Sequence, residues 1–160
     1  MALHNTKIDL PKDAREKLIA ILNSRLADAS DLKSQTKQAH WNVKGMSFIA
    51  LHELFDSIAT AVEAHVDLIA ERITTLGGTA MGTVRLAAQN SSLSEYPHEI
   101  TDGASHVDAL STALADFGKV IRKGIDEAAE LGDQDTADIF TEISREIDKQ
   151  LWFVEAHIQD

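Results

Sequence analysis

The chain has 160 residues, with 15 Lys+Arg against 26 Asp+Glu, a formal net charge of −11 and no cysteine. That is one domain's worth of chain, able to bury about two-thirds of its unfolded surface without cross-links. The lack of cysteine excludes disulfide scaffolds, zinc ribbons, iron–sulfur ligation and thiol catalysis, so any metal must be held by His, Asp and Glu.

Two Pro, eight Gly and 5% aromatic residues favour helices over sheet. After a short tail over residues 1–10, the first helix is predicted from Pro11, through Leu18, Leu22, Leu26 and Leu32, to Gln38 or His40. Trp41 to Met46 breaks it. A second helix follows Ser47, read as its N-cap, and runs through Phe55, Ile58, Val62, Ile69 and Ile73 to Gly77-Gly78. Met81 to Ile100 reads as a long connection with a short helix around Val84 to Ala88. The next long helix starts at Thr101 or Asp102 and stops at Gly132, and the last runs from about Asp135 almost to the C-terminus. The expectation is an all-α single domain over residues 1–160: two hairpins of long helices joined by one crossover, the connectivity of a ferritin-like four-helix bundle.

No secretory leader and no membrane-length apolar run is read, so a cytoplasmic protein with no membrane partner is expected. Charge is uneven. Residues 1–44 carry 8 Lys+Arg and 5 Asp+Glu, leaving 7 against 21 in the rest; Asp126 to Asp148 alone holds nine acids against Arg145. Such a surface suits cations rather than nucleic-acid phosphates, or simply keeps the protein soluble.

The second helix carries a polar stripe. At about 100° per residue from His52, Asp56 falls near 40°, Glu63 near 20°, Asp67 near 60° and Glu71 near 100°, beside an apolar face centred near −90°. The stripe is therefore placed to meet another chain. His52/Asp56 and Asp67/Glu71 are both i, i+4 pairs, but their midpoints lie roughly 22 Å apart along the axis, too far for one metal. Two antiparallel copies related by a two-fold axis near Ala61 and Val62 bring the unlike pairs together twice, with His40 as a further nitrogen donor. Such a thiolate-free set fits iron or manganese, and zinc would also bind; the alternative is an ordinary solvated helix face. Two other metal motifs fail. The residue four after His52 is Asp56, not His, and the only Glu-x-x-His, Glu95 to His98, contains Pro97.

The runs Thr36–Gly45 (TKQAHWNVKG), Phe48–Asp56 (FIALHELFD) and Asp67–Arg72 (DLIAER), continued by Leu76-Gly77-Gly78, Tyr96-Pro97, Thr136–Ile139 and Leu151–Phe153, resemble the Dps family of bacterial mini-ferritins over almost the whole chain. The resemblance implies a homododecameric shell, in the bacterial cytoplasm or nucleoid, with ferroxidase centres at two-fold interfaces. There His40, His52 and Asp56 of one subunit face Asp67 and Glu71 of the next. It implies iron as the cofactor and stored mineral, with Fe²⁺ and hydrogen peroxide, or more slowly O₂, as substrates. His40 and His52 become nitrogen ligands, Asp56 and Glu71 anionic ligands, and Asp67 a weaker carboxylate toward the second iron position.

Trp41 is implied as a radical sink, with interface packing the alternative, while Glu63 lies outside the family's ligand set and reads as a solvated or interface acid. His65, near −140° on the same wheel at about 100° per residue, reads as a packing histidine. Asp138, with Asp133 and Asp135, corresponds to acids of three-fold iron pores, the alternative being a solvated helix start. Arg72 and Asp148 correspond to an inter-subunit ion pair. DNA binding in the family usually depends on a basic tail. Residues 1–10 hold only Lys7 against Asp9, and the chain ends in Gln159-Asp160, so at most Lys7, Lys12, Arg15 and Lys17 of many copies form a weak patch.

Overall fold

The computed structural model describes residues 3–159. Among them lie five helices: α1 (Lys12–Asn42), α2 (Phe48–Thr75), α3 (Val84–Asn90), α4 (Gly103–Glu130) and α5 (Gln134–Glu155). Helix α1 packs along α2 and α4 along α5; the crossover, with α3 lying on α1, returns the chain so that α1 meets α4 and α2 meets α5. The expected all-α bundle of two hairpins is what forms. Its interior is one apolar cluster in which Leu18, Leu22, Phe55, Ile58, Phe117 and Phe140 are each 0% exposed. Their i, i+3, i+4 and i+7 spacing on each helix is what turns one stripe per helix inward.

The helix ends follow local chemistry, with two departures from the sequence reading. Asp102 caps α4 by accepting from the Ser105 amide, and Asp133 caps α5 by accepting from the Thr136 amide, so α5 starts at Gln134, within one residue of the expected Asp135. Ser47 stands at the N-cap of α2 but makes no side-chain cap bond; the turn is closed instead by the Phe48 amide on the Gly45 carbonyl. Helix α1 continues through Trp41 to Asn42, so His40 and Trp41 are helical and rigidly placed.

At the other end of α2, Gly77 takes φ +88° and lets the Gly78 amide reach the Ile73 carbonyl. The same Gly77 carbonyl accepts from the His4 amide at 2.8 Å, and Arg15 donates to the Leu76 carbonyl at 2.9 Å, so the N-terminal segment is tied across this turn.

Candidate metal centre

The tight turn after α1 sets His40 beside the first turns of α2. The two imidazoles stack with centroids 3.8 Å apart and planes 19° from parallel. His40 Nδ1 donates to the His52 carbonyl at 2.7 Å, and His52 Nδ1 donates to the His40 carbonyl at 2.8 Å. A carbonyl only accepts, so each Nδ1 carries the proton and each Nε2 keeps a lone pair for a metal. Backbone geometry therefore selects the metal-binding tautomer of both rings, the role outer hydrogen bonds play at metal sites.

Asp56 lies one turn beyond His52 and is exposed, with Lys37 Nζ 2.7 Å from its Oδ1. The hydrogen bond and charge of Lys37, with smaller help from His40 and His52, hold the Asp56 carboxyl below its ordinary value. An ammonium thus occupies an oxygen that a cation would use. The sequence reading missed Lys37, although it stands three residues before His40 on the same face of α1.

Asp67 and Glu71 are exposed near the far end of α2, and within a single chain no three His, Asp or Glu side chains among the described residues gather to hold a metal. The structure brings His40 and His52 together, with Asp56 one helical turn beyond His52, and leaves Asp67 and Glu71 at the other end of α2. All of the stripe from Asp56 to Glu71 lies outside the bundle core.

The ferritin-like domain family matches residues 19–160. A DNA protection during starvation protein of Agrobacterium fabrum is 49% identical over 160 residues, all of this chain and 99% of the relative. The chain belongs to the Dps family. Among solved structures, DpsA14 from Streptomyces coelicolor superposes with a TM-score of 0.94 at 32% identity, covering 99% of this chain and 94% of that one. The Vibrio cholerae O1 Dps protein, described as a member of a broad superfamily of ferritin-like diiron-carboxylate proteins, gives 0.90 at 28% identity over 99% of each chain.

Against this Dps background several other residues can be placed. Trp41 is 66% exposed, with the Lys37 ammonium 5.7 Å from its ring centroid. Glu63 is held by Lys33 of α1, which accounts for it as a paired surface acid. His65 is buried between α2 and α5; its Nε2 has no hydrogen-bond partner, with Glu146 at 3.5 Å, and burial lowers its pKa against the pull of Glu146 and Glu142. It is a packing histidine, but not a satisfied one.

Two of these acids are paired within the chain. Within the chain Arg72 donates to both oxygens of Asp133, at 2.7 and 2.9 Å, and to Thr136 Oγ1, while Arg122 takes Asp148 at 2.7 Å; a pair of Arg72 with Asp148 would be a contact between two copies. The turn at Gly132 brings Asp133 under Arg72, whereas Asp148 faces α4. Asp133 is 3% exposed, and Arg72 and Thr136 take its oxygens. Asp135 and Asp138 are exposed, with Asp135 3.9 Å from Arg72.

Proposed function

We propose that this protein stores and detoxifies iron as a ferroxidase: it oxidises Fe²⁺ with hydrogen peroxide, more slowly with O₂, at centres shared by two subunits, and keeps the ferric oxyhydroxide inside a dodecameric shell. Removing Fe²⁺ and peroxide together protects DNA from oxidative damage in the bacterial cytoplasm. The observation that carries this reading is the His40–His52 pair. Two imidazoles have both Nε2 lone pairs free and Asp56 alongside, at one end of an exposed carboxylate stripe that ends in Asp67 and Glu71.

Half of a ligand set sits at each end of α2, and only a second chain running antiparallel can join them. The surface around the histidines supports such a contact, since Trp41, Ile49 and Val84 are 66%, 60% and 85% exposed, an apolar area that water disfavours. The relatives' names, DNA protection and diiron-carboxylate, point the same way.

In this reading His40 and His52 supply nitrogen to the first Fe²⁺, Asp56 and Glu71 supply charge, and Asp67 helps to hold a second Fe²⁺ nearby. Two Fe²⁺ each yield one electron, hydrogen peroxide accepts both and leaves as two hydroxides, and no radical is released. Trp41, next to His40, stands where a stray oxidising equivalent would arrive, and the exposed Asp135 and Asp138 would draw Fe²⁺ toward the shell.

The test is iron loading. Aerobic and peroxide-driven oxidation of added Fe²⁺ is followed optically, and particle mass and iron per particle are measured afterwards. A dodecamer that oxidises Fe²⁺ faster with peroxide and retains the iron is expected; a monomer or an inert particle overturns the proposal.

A further inference from the structure

Tyr96 is the only tyrosine in the chain, and it is buried at the end of the crossover, 5% exposed. Its hydroxyl lies 2.7 Å from Nδ1 of His106, which is itself 1% exposed in the first turn of α4. The His106 Nε2 has no hydrogen-bond partner of its own, yet the carbonyls of Ile100 and Asn42 and the carboxylate of Asp102 all favour the charged form of the ring. Burial outweighs them and lowers the His106 pKa, so the ring rests neutral. Since carbonyls only accept, the ring proton belongs on Nε2, and Nδ1 accepts from the phenol. Burial also raises the Tyr96 pKa, which keeps the phenol protonated. A buried phenol of this kind loses an electron readily only when its proton moves at the same moment to a waiting base. His106 is that base, already aligned, with groups around it that stabilise the imidazolium.

The location adds a use. Asn42 ends α1 two residues after His40 and lies close enough to favour the charged His106 ring, so the Tyr96–His106 pair sits beside the segment that carries His40 and Trp41. We propose that Tyr96, with His106 as its proton acceptor, is a redox-active tyrosine that temporarily holds an oxidising equivalent produced when peroxide meets a single Fe²⁺. The proposal rests on the iron-oxidising reading above.

One Fe²⁺ gives hydrogen peroxide one electron, forming Fe³⁺, hydroxide and a hydroxyl radical. Tyr96 then gives its electron to that radical, which becomes a second hydroxide, while the phenolic proton passes to His106 Nδ1; a neutral tyrosyl radical and an imidazolium remain. A second Fe²⁺ returns an electron to Tyr96 as the proton moves back from His106. The sum is two Fe²⁺ and one peroxide giving two Fe³⁺ and two hydroxides, with no radical left over. The device matters when Fe²⁺ is scarce and the second iron position is empty.

The assembled protein is mixed with one Fe²⁺ per expected centre and then peroxide, frozen at intervals and examined by electron paramagnetic resonance. A tyrosyl signal that forms, and collapses when more Fe²⁺ is added, is expected. Tyr96→Phe should abolish it while iron oxidation continues. His106→Gln, which keeps a side-chain amide near the phenol but offers no comparable base, should slow radical formation by about a hundredfold. Iron oxidised with no tyrosyl signal, a signal of tryptophan type only, or a His106→Gln protein equal to wild type would each overturn the proposal.

A second arm uses no iron: photogenerated tris-bipyridine ruthenium(III) oxidises the metal-free protein. A tyrosyl radical there, dependent on His106, supports the pair even if iron loading fails, and its absence counts against the pair alone. Circular dichroism of both variants checks that the bundle is intact, and a merely structural Tyr96–His106 bond would leave every radical yield unchanged.

Discussion

His40 and His52 hold each other's backbone: the Nδ1 of each donates to the carbonyl of the other, at 2.7 and 2.8 Å, with the rings stacked between. One α1–α2 hairpin thereby fixes two rotamers and two tautomers before any metal arrives, a preorganisation that lowers the cost of binding. Replacing either histidine removes a proposed ligand and also frees the other ring. His52→Ala and Asp67→Ala should each reduce peroxide-driven Fe²⁺ oxidation by at least about a hundredfold, the upper end of what loss of a mere supporting partner costs. Helical content should not change, and full activity in both would sink the site assignment.

Mixing those two variants tests whether the centre is shared. In a random co-assembly half the two-fold interfaces are mixed, and each mixed interface has one site with both losses and one with neither. About a quarter of the centres should therefore recover, as two-fold symmetry requires. No recovery in cages shown by mass spectrometry to be mixed would rule out ligands drawn from two chains.

On the proposed site, Lys37 should compete with metal for Asp56. The ammonium lies 2.7 Å from Oδ1 and holds the carboxyl below its ordinary value of 3.8. Lys37→Gln should move the Asp56 titration, read by carbon-13 NMR, back up toward the ordinary value. It should also tighten Fe²⁺ or Co²⁺ binding by a fewfold at most, since a solvent-exposed ion pair is weak. Weaker metal binding in Lys37→Gln would mean instead that Lys37 positions Asp56.

The Asp133–Arg72 pair predicts a stabilising role for Asp133. It caps α5 and receives the nearly buried Arg72; burial alone would raise its pKa, but the Arg72 and Thr136 hydrogen bonds outweigh this and the net shift is downward. A depressed folded pKa means that the contribution is complete above the ordinary carboxylate value and drains away as pH falls through the lower folded one. Asp133→Ala should cost about 2 to 4 kcal/mol by losing the cap and stranding the Arg72 charge. Asp133→Asn, which retains a cap, should lose less, and both should flatten the acid limb of a melting-temperature profile. Unchanged melting with impaired iron uptake would instead assign Asp133 a pore role.

DNA affinity should be weak and steeply salt-dependent, because the −11 chain concentrates its few cations near the N-terminus. Mobility shifts at low salt that vanish by about 150 mM are expected. Tight binding at that salt would overturn this and make DNA compaction a principal activity.

What the sequence by itself determined was whatever depends on helical periodicity and short spacing. Leu18, Leu22 and Leu26 recur at one face, Gly77 and Gly132 end helices where φ must be positive, and the His52-to-Glu71 stripe can be placed to within tens of degrees by counting residues. The two halves of the candidate centre were legible for the same reason, and so was their separation. Only the tertiary structure decided which side chains meet across helices. Arg72 found Asp133, 61 residues away; Lys37 found Asp56; and Tyr96 found His106. Those pairings depend on the axial register and rotation of packed helices, where one residue's shift, about 1.5 Å and 100°, exchanges one partner for another. No local pattern encodes that register; it is set by how the apolar faces interdigitate in the shared core.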